Sequence, residues 1–161
     1  WRLNCVVLRQ RPICLRDRGN TVVAFACVYE EEGLATTNGF QDMKQMGFSL
    51  GNFEGNNVPV DPWMLGRCNT LGIVGPIATV ATCSGTDEQA DTVKERTGCI
   101  CEAMEGAAVV HAAMRVGAPA IELRTISNTT GNREQQEWNI SLALENLGST
   151  VRNAILHNLR A

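Results

Sequence analysis

The chain has 161 residues, 44% of them hydrophobic and 19% charged, with 15 glycines and a formal net charge of −3. That length suits one domain with a sizeable core, and the composition excludes a disordered chain, a fibre or a span of the ~20 apolar residues a membrane helix requires. The charge gives no footprint for nucleic acid or anionic lipid, so small or neutral partners are expected.

Charge is unevenly spread. Residues 1–18 hold five basic side chains (Arg2, Arg9, Arg11, Arg16, Arg18) and one acid, Asp17, leaving nine basic and 16 acidic residues for the rest. Arg9 and Arg11 interrupt any apolar core of a signal peptide, so the chain is read as a fragment whose true N-terminus is missing. Seven cysteines (5, 14, 27, 68, 83, 99 and 101) form no CxxC pair and no zinc-finger spacing with histidine. An odd number cannot close a disulfide framework, so they are read as reduced, buried thiols of a cytoplasmic protein, with no metal site.

Thr21–Tyr29 is an apolar, β-branched run and reads as a buried strand, ended by Glu30–Glu32 and Gly33. From Gly33 to Asn69 the chain is rich in Gly, Asn, Asp and Pro with single aromatics (Phe40, Phe48, Phe53, Trp63), which reads as a long loop serving as a binding surface, subunit contact or lid. Leu71–Cys83 reads as a central strand. Ser84-Gly85-Thr86-Asp87 then offers N-cap chemistry for a helix over 87–97, with acids in its first turn, Lys94 and Arg96 in its last, and Gly98 as its stop. Cys99–Cys101 reads as a short strand, 107–116 as a helix of small residues closed by Gly117, and Pro119–Ser127 as a strand that delivers Asn128. Ile140, Leu144, Leu147, Val151 and Leu156 mark one face of a terminal helix. Strands alternating with helices define an α/β fold with a substantially parallel sheet.

In such sheets ligands bind beyond the carboxyl ends of the strands, where Thr82–Asp87, Glu102–Gly106 and Ser127–Asn128 converge. Glu105 there could accept hydrogen bonds from vicinal sugar hydroxyls while unbranched Met104 lies against the sugar's apolar face. The same residues could equally be N-terminal helix charges, Glu102 and Glu105, with Met104 in the core. Asn128 could likewise merely cap a turn.

Glu102-Ala103-Met104-Glu105-Gly106-Ala107-Ala108 together with Arg124-Thr125-Ile126-Ser127-Asn128 resembles the paired motifs of the nucleoside phosphorylase and nucleosidase superfamily. Within it, the ordered set of Gly39-Phe40, Met46-Gly47, Thr82–Asp87, Gly131-Asn132-Arg133 and Trp138 is similar to the futalosine hydrolases of menaquinone biosynthesis. The resemblance runs from about Asp17 to the end, and it implies a three-layer α/β/α fold with a mixed, largely parallel central sheet whose first strands are missing: an unmatched basic segment, 1–16, then a single domain, 17–161, incomplete at its N-terminus. It implies hydrolysis of an N-ribosyl bond, with Glu105 holding the ribose hydroxyls, Ala103 and Met104 lining the sugar pocket, Thr82 and Cys83 beside the base, and Asn128 stabilising the departing hypoxanthine. Asn can donate to N7 and O6 of a 6-oxopurine but cannot protonate adenine, as the Asp of related adenine nucleosidases can. Arg124 and Ser127 are expected to fix strand and loop, Arg124 by pairing with a carboxylate. The resemblance further implies a homo-oligomer acting on a small nucleoside without metal or organic cofactor, and a water-activating Glu that no residue of this sequence matches. A methylthioadenosine or adenosylhomocysteine nucleosidase, a purine nucleoside phosphorylase and a non-catalytic nucleoside-binding fragment stay open as alternatives.

Overall fold

A computed structural model describes residues 6–7 and 18–159. The strands are β1 (Val6–Val7), β2 (Thr21–Tyr29), β3 (Gly33–Thr36), β4 (Gly39–Asp42), β5 (Asn57–Pro59), β6 (Ile73–Thr79), β7 (Cys101–Ala103), β8 (Leu123–Thr125) and β9 (Asn128–Thr129). The α-helices are α1 (Pro62–Cys68), α2 (Asp87–Thr97), α3 (Gly106–Arg115) and α4 (Ile140–Asn153), the last continued by a π-helical turn, Ala154–Asn158. The main sheet runs β5-β2-β6-β7-β1-β9, and β8 pairs with the first half of β2. Its central pairings, β2 with β6 and β6 with β7, are parallel, whereas β5, β8 and β1 join antiparallel to β2, β2 and β7. The expected mixed sheet is therefore present. Of residues 1–16, expected to stand apart, Val6 and Val7 pair with β7 on one side and β9 on the other; the remainder lie outside the described residues.

β2 is central because nearly every one of its side chains is apolar and buried. Period-two alternation sends Val22, Ala24 and Ile77 into a core beneath α3, with Ala107 and Val110, and sends Ala78 and Val28 to the opposite face against Ala90 and Val93 of α2. Val23 meets Cys68 and Ala154. The β2–β6 register slips between Ala24 and Cys27, where β2 carries one more residue than β6. Pro76 lies at that bulge, where a residue without an N–H breaks no regular ladder, and its carbonyl instead accepts from Ile100 N–H at 3.0 Å.

The helix α2 follows its sequence signals closely. Thr86 accepts from Gln89 N–H at the start of α2, and Gly98 closes it at φ +67°, a conformation suited to glycine. The 33–69 segment departs from expectation. It contains the β3–β4 hairpin, β5 and α1, tied to the body by β5 pairing with β2 and by the Arg96 guanidinium, itself paired with Glu30, lying 4.1 Å from the Phe40 ring centre. The strands expected over 71–83 and 119–127 are shorter, and the strand expected at 99–101 sits two residues later, because regular pairing holds only over those residues.

Candidate active site

The carboxyl ends of β6 and β7 lie side by side, whereas β8 runs antiparallel to β2 and ends beside the start of that strand; Asn128 follows on β9, across β1 from β7. β6 ends at Thr79, whose hydroxyl accepts from Ala107 N–H at 2.8 Å and seats the start of α3 against the sheet. Val80 N–H donates to the Ala103 carbonyl at 2.8 Å, so the loop after β6 continues alongside β7. Ala81 and Thr82 then direct both their N–H groups to the Glu31 carboxylate, the latter at 3.2 Å. Thr82 is exposed and Cys83 half-buried.

Glu102 is fully buried at 0% exposure. Its carboxylate accepts from Ser84 N–H at 3.1 Å and from Ser84 Oγ at 2.6 Å. Burial raises its pKa, and the two bonds from Ser84 offset part of that. This corrects the reading of Glu102 as a helix N-terminal charge: it belongs to β7 and points at the neighbouring loop, three residues before α3 begins. Met104, at 40% exposure, is likewise outside the core. Ala103 is buried in the α3 core and Glu105 is the N-cap of α3.

Glu105 is held by Arg124, whose Nη2 donates to its Oε2 at 3.0 Å. The same guanidinium donates through Nε to Glu122 Oε1 at 2.6 Å, and Cys27 Sγ donates to Glu122 Oε2 at 2.9 Å. Burial and the adjacent Glu122 push the Cys27 thiol far up, so it stays a protonated donor. Gly106 permits this array: a Cβ there would come within 1.9 Å of Glu122 Oε2. The carboxylate partner expected for Arg124 is thus present twice.

Asn128 is 1% exposed. Its Oδ1 accepts from Ser127 Oγ at 2.7 Å and its Nδ2 donates to the Thr129 carbonyl at 3.0 Å, which fixes the amide's orientation. The backbone of Val6 lies opposite both Glu102 and Asn128 in register. Beyond it the 130–136 loop closes on the loop after β6: Arg133 N–H donates to the Gly85 carbonyl at 3.0 Å, Gln136 Nε2 to the carbonyls of Ser84 and Gly131 at 3.3 and 2.8 Å, and Asn132 Nδ2 to Asp87 Oδ2 at 2.8 Å. Arg133 stacks 4.7 Å above the Trp138 ring. Burial, with Glu102, Glu105 and Glu31 adding to it and Arg133 opposing, raises the Cys83 thiol. A neutral thiol is a poor nucleophile.

Thr82 and Cys83 thus follow β6, Ala103, Met104 and Glu105 end and follow the neighbouring β7, and Asn128 opens β9, separated from β7 by β1. Glu31 and Glu122 were not anticipated, and Ser84 was read only within the N-cap cluster of the Thr82–Asp87 segment. The acidic run 30–32 read only as a strand terminator, and Glu122 stood unremarked in the alternation Ile121-Glu122-Leu123-Arg124, whose second acid–base pair was the available signal. Of the cysteines described, Cys27, Cys68, Cys99 and Cys101 are buried, Cys83 is half-buried and all are free. Among the described residues no cluster of His, Cys, Asp or Glu could hold a metal ion, and no helix is long and apolar enough to cross a membrane.

Helices packed on a mixed, centrally parallel sheet make this an α/β domain. The family model of the Phosphorylase superfamily matches residues 67–156, and the chain belongs to that family. It is 34% identical over 135 residues to the futalosine hydrolase of Streptomyces coelicolor, covering 83% of this chain and 56% of that protein. It is 35% identical over 133 residues to the futalosine hydrolase of Acidothermus cellulolyticus, covering 80% and 54%. The chain thus spans about half the length of the curated relatives it matches. Among solved structures, the S-adenosylhomocysteine nucleosidase of Streptococcus pyogenes in complex with 5-methylthiotubericidin matches with a TM-score of 0.72 at 22% identity, covering 98% of this chain and 66% of that one. A futalosine hydrolase mutant of Helicobacter pylori strain 26695 matches with a TM-score of 0.66 at 14% identity, covering 93% and 66%. These likenesses bear out the nucleoside phosphorylase-like fold expected from the sequence.

Proposed function

We propose that this chain forms the nucleoside-binding part of an N-ribosyl hydrolase that splits futalosine and releases hypoxanthine in menaquinone biosynthesis. The observation that carries the reading is a buried, oriented Asn128 amide across β1 from Glu102 of β7, with a half-exposed Glu105 carboxylate just past β7 anchored by Arg124. The identity to futalosine hydrolases over four-fifths of the chain supports it.

Arg124 engages Oε2 of Glu105, which leaves Oε1 to accept from the ribose hydroxyls. As the N-glycosidic bond lengthens, positive charge grows on the sugar ring and the nearby carboxylate stabilises it. Asn128 Nδ2 spends one hydrogen on Thr129; the other is the donor for N7 or O6 of the leaving purine. Thr82 and Cys83 flank the base, and Ala103 and Met104 flank the sugar. Water adds at the anomeric carbon, the bond to the base breaks, and the water's proton ends on the purine. With no residue of the sequence matching the family's water-activating Glu, turnover by the chain itself is expected to be lower by roughly 10²–10⁴ than with such a base. The same reading is of residues 17–161 as one domain of a cytoplasmic homo-oligomer, in which exposed Phe48 and Trp63 meet a second copy.

The test is incubation of the purified chain with futalosine, with chromatography of the purine and sugar products in the presence and absence of phosphate. Slow, phosphate-independent appearance of hypoxanthine is expected. A sugar 1-phosphate would replace hydrolysis by phosphorolysis, adenine released preferentially from adenosylhomocysteine would replace the substrate, and binding with no turnover would leave a nucleoside-binding module.

A further inference from the structure

We propose that Glu102 is a positioning residue, which through Ser84 fixes the base-side loop 80–86 and thereby sets purine affinity; this rests on the site reading above. Glu102 is buried at the end of β7, one strand away from the loop it holds, and both of its carboxylate oxygens go to one residue, Ser84. Among the described residues it makes no salt bridge, so the bonds to Ser84 account for its polar partners. A buried carboxylate without a cation is unfavourable for stability; its geometry is that of a clamp.

The clamp is connected. The carbonyl of Ser84 takes the amide of Gln136, which also holds Gly131, and the carbonyl of Gly85 takes Arg133 N–H. One carboxylate therefore secures the loop bearing Thr82 and Cys83, and through it the 130–136 loop that follows Asn128. The opposite end of the same loop is tied to Glu31 through Ala81 and Thr82. Release of Ser84 removes the buried anchor of this loop and leaves Ser84 and Gly85 tied through their carbonyls to Gln136 and Arg133. Glu102 touches neither sugar nor base in this account.

The experiment measures hypoxanthine affinity by calorimetry and amide hydrogen exchange at residues 81–86 in the full chain. Glu102→Ala and Ser84→Ala are each expected to weaken hypoxanthine binding by about tenfold, the scale of a lost hydrogen bond to a charged group, and to speed exchange at 81–86 but not in α4. Their combination should be no weaker than Glu102→Ala alone, because both act through one interaction. Glu102→Gln should recover affinity to within about threefold, since its amide offers an acceptor to Ser84 N–H and a donor to Ser84 Oγ. Val93→Ala in the α2 core serves as the control for lost stability: it lowers the melting temperature but leaves affinity unchanged. If Glu102→Ala fails to fold, Ser84→Ala and Glu102→Gln still decide the matter. Unchanged affinity and exchange in Ser84→Ala, or effects that multiply in the double variant, overturn the proposal. Wild-type chain that does not bind hypoxanthine overturns the purine reading instead, and the exchange data alone then decide whether Glu102 orders the loop.

Discussion

Replacing Arg124 by Met isolates the charge array beneath Glu105, since Met fills much of the same volume without a donor. Two carboxylates lose their partner, and they differ in environment. The Arg124 and Glu122 side chains are 7% and 5% exposed, whereas Glu105 is 46% exposed. The Glu105 pair is screened by water and contributes at most about 1 kcal/mol. Glu122 would be left as a buried charge with the Cys27 thiol as its remaining donor, and breaking a buried pair from one side costs about 3–5 kcal/mol. For a chain of this size that corresponds to a fall of roughly 6–20 °C in Tm. Adding Glu122→Gln removes the stranded charge, so the double variant should regain more than half of the loss. Urea unfolding with a constant m-value is the assay. An Arg124→Met variant within about 1 kcal/mol of wild type, or a double variant as unstable as the sum of the singles, would refute the reasoning.

Gly106→Ala places a methyl 1.9 Å from Glu122 Oε2, a carboxylate pinned from both sides, and should cost about 3 kcal/mol; a urea midpoint equal to wild type would show that the array yields. Asn128→Asp should shift purine preference from hypoxanthine toward adenine, read as the ratio of the two dissociation constants; an unchanged ratio separates Asn128 from the base. Burial holds Glu102 above its ordinary carboxylate pKa. As pH rises from about 4.5, the unfolded chain loses this proton before the folded one, so this group's contribution to stability falls through its folded pKa and stays lower above it. Glu102→Gln should therefore flatten the decline in Tm that sets in as pH rises past about 4.5; parallel wild-type and variant curves would contradict the assignment.

The sequence was most legible where a signal is local. α2 begins and ends as expected because Thr86 and Gly98 settle its caps within a few residues, and β2 follows from nine residues almost all suited to a buried strand. The 33–69 segment was not legible, because its β3–β4 hairpin is secured from outside by Arg96, over fifty residues away, and β5 exists only through pairing with β2. The site divides in the same way. Glu105 and Asn128 stood out at expected strand ends, but their place alone left a helix charge and a turn cap open, and their proposed roles, like the pairing of Arg124, came from the family resemblance. The role of Glu102 was not, since a carboxylate near a helix start looks like a dipole partner until the fold brings Ser84 to it. Glu122 and Glu31 likewise acquire their partners only in three dimensions.

The most direct measurement of the central claim is calorimetric titration of the chain with hypoxanthine and with its riboside, inosine, in wild type, Glu105→Ala and Asn128→Ala. If Glu105 grips the sugar and Asn128 the base, Glu105→Ala weakens inosine while leaving hypoxanthine unchanged, and Asn128→Ala weakens both. Affinities that neither substitution alters, or a Glu105→Ala variant that loses the free base as well, would contradict the account.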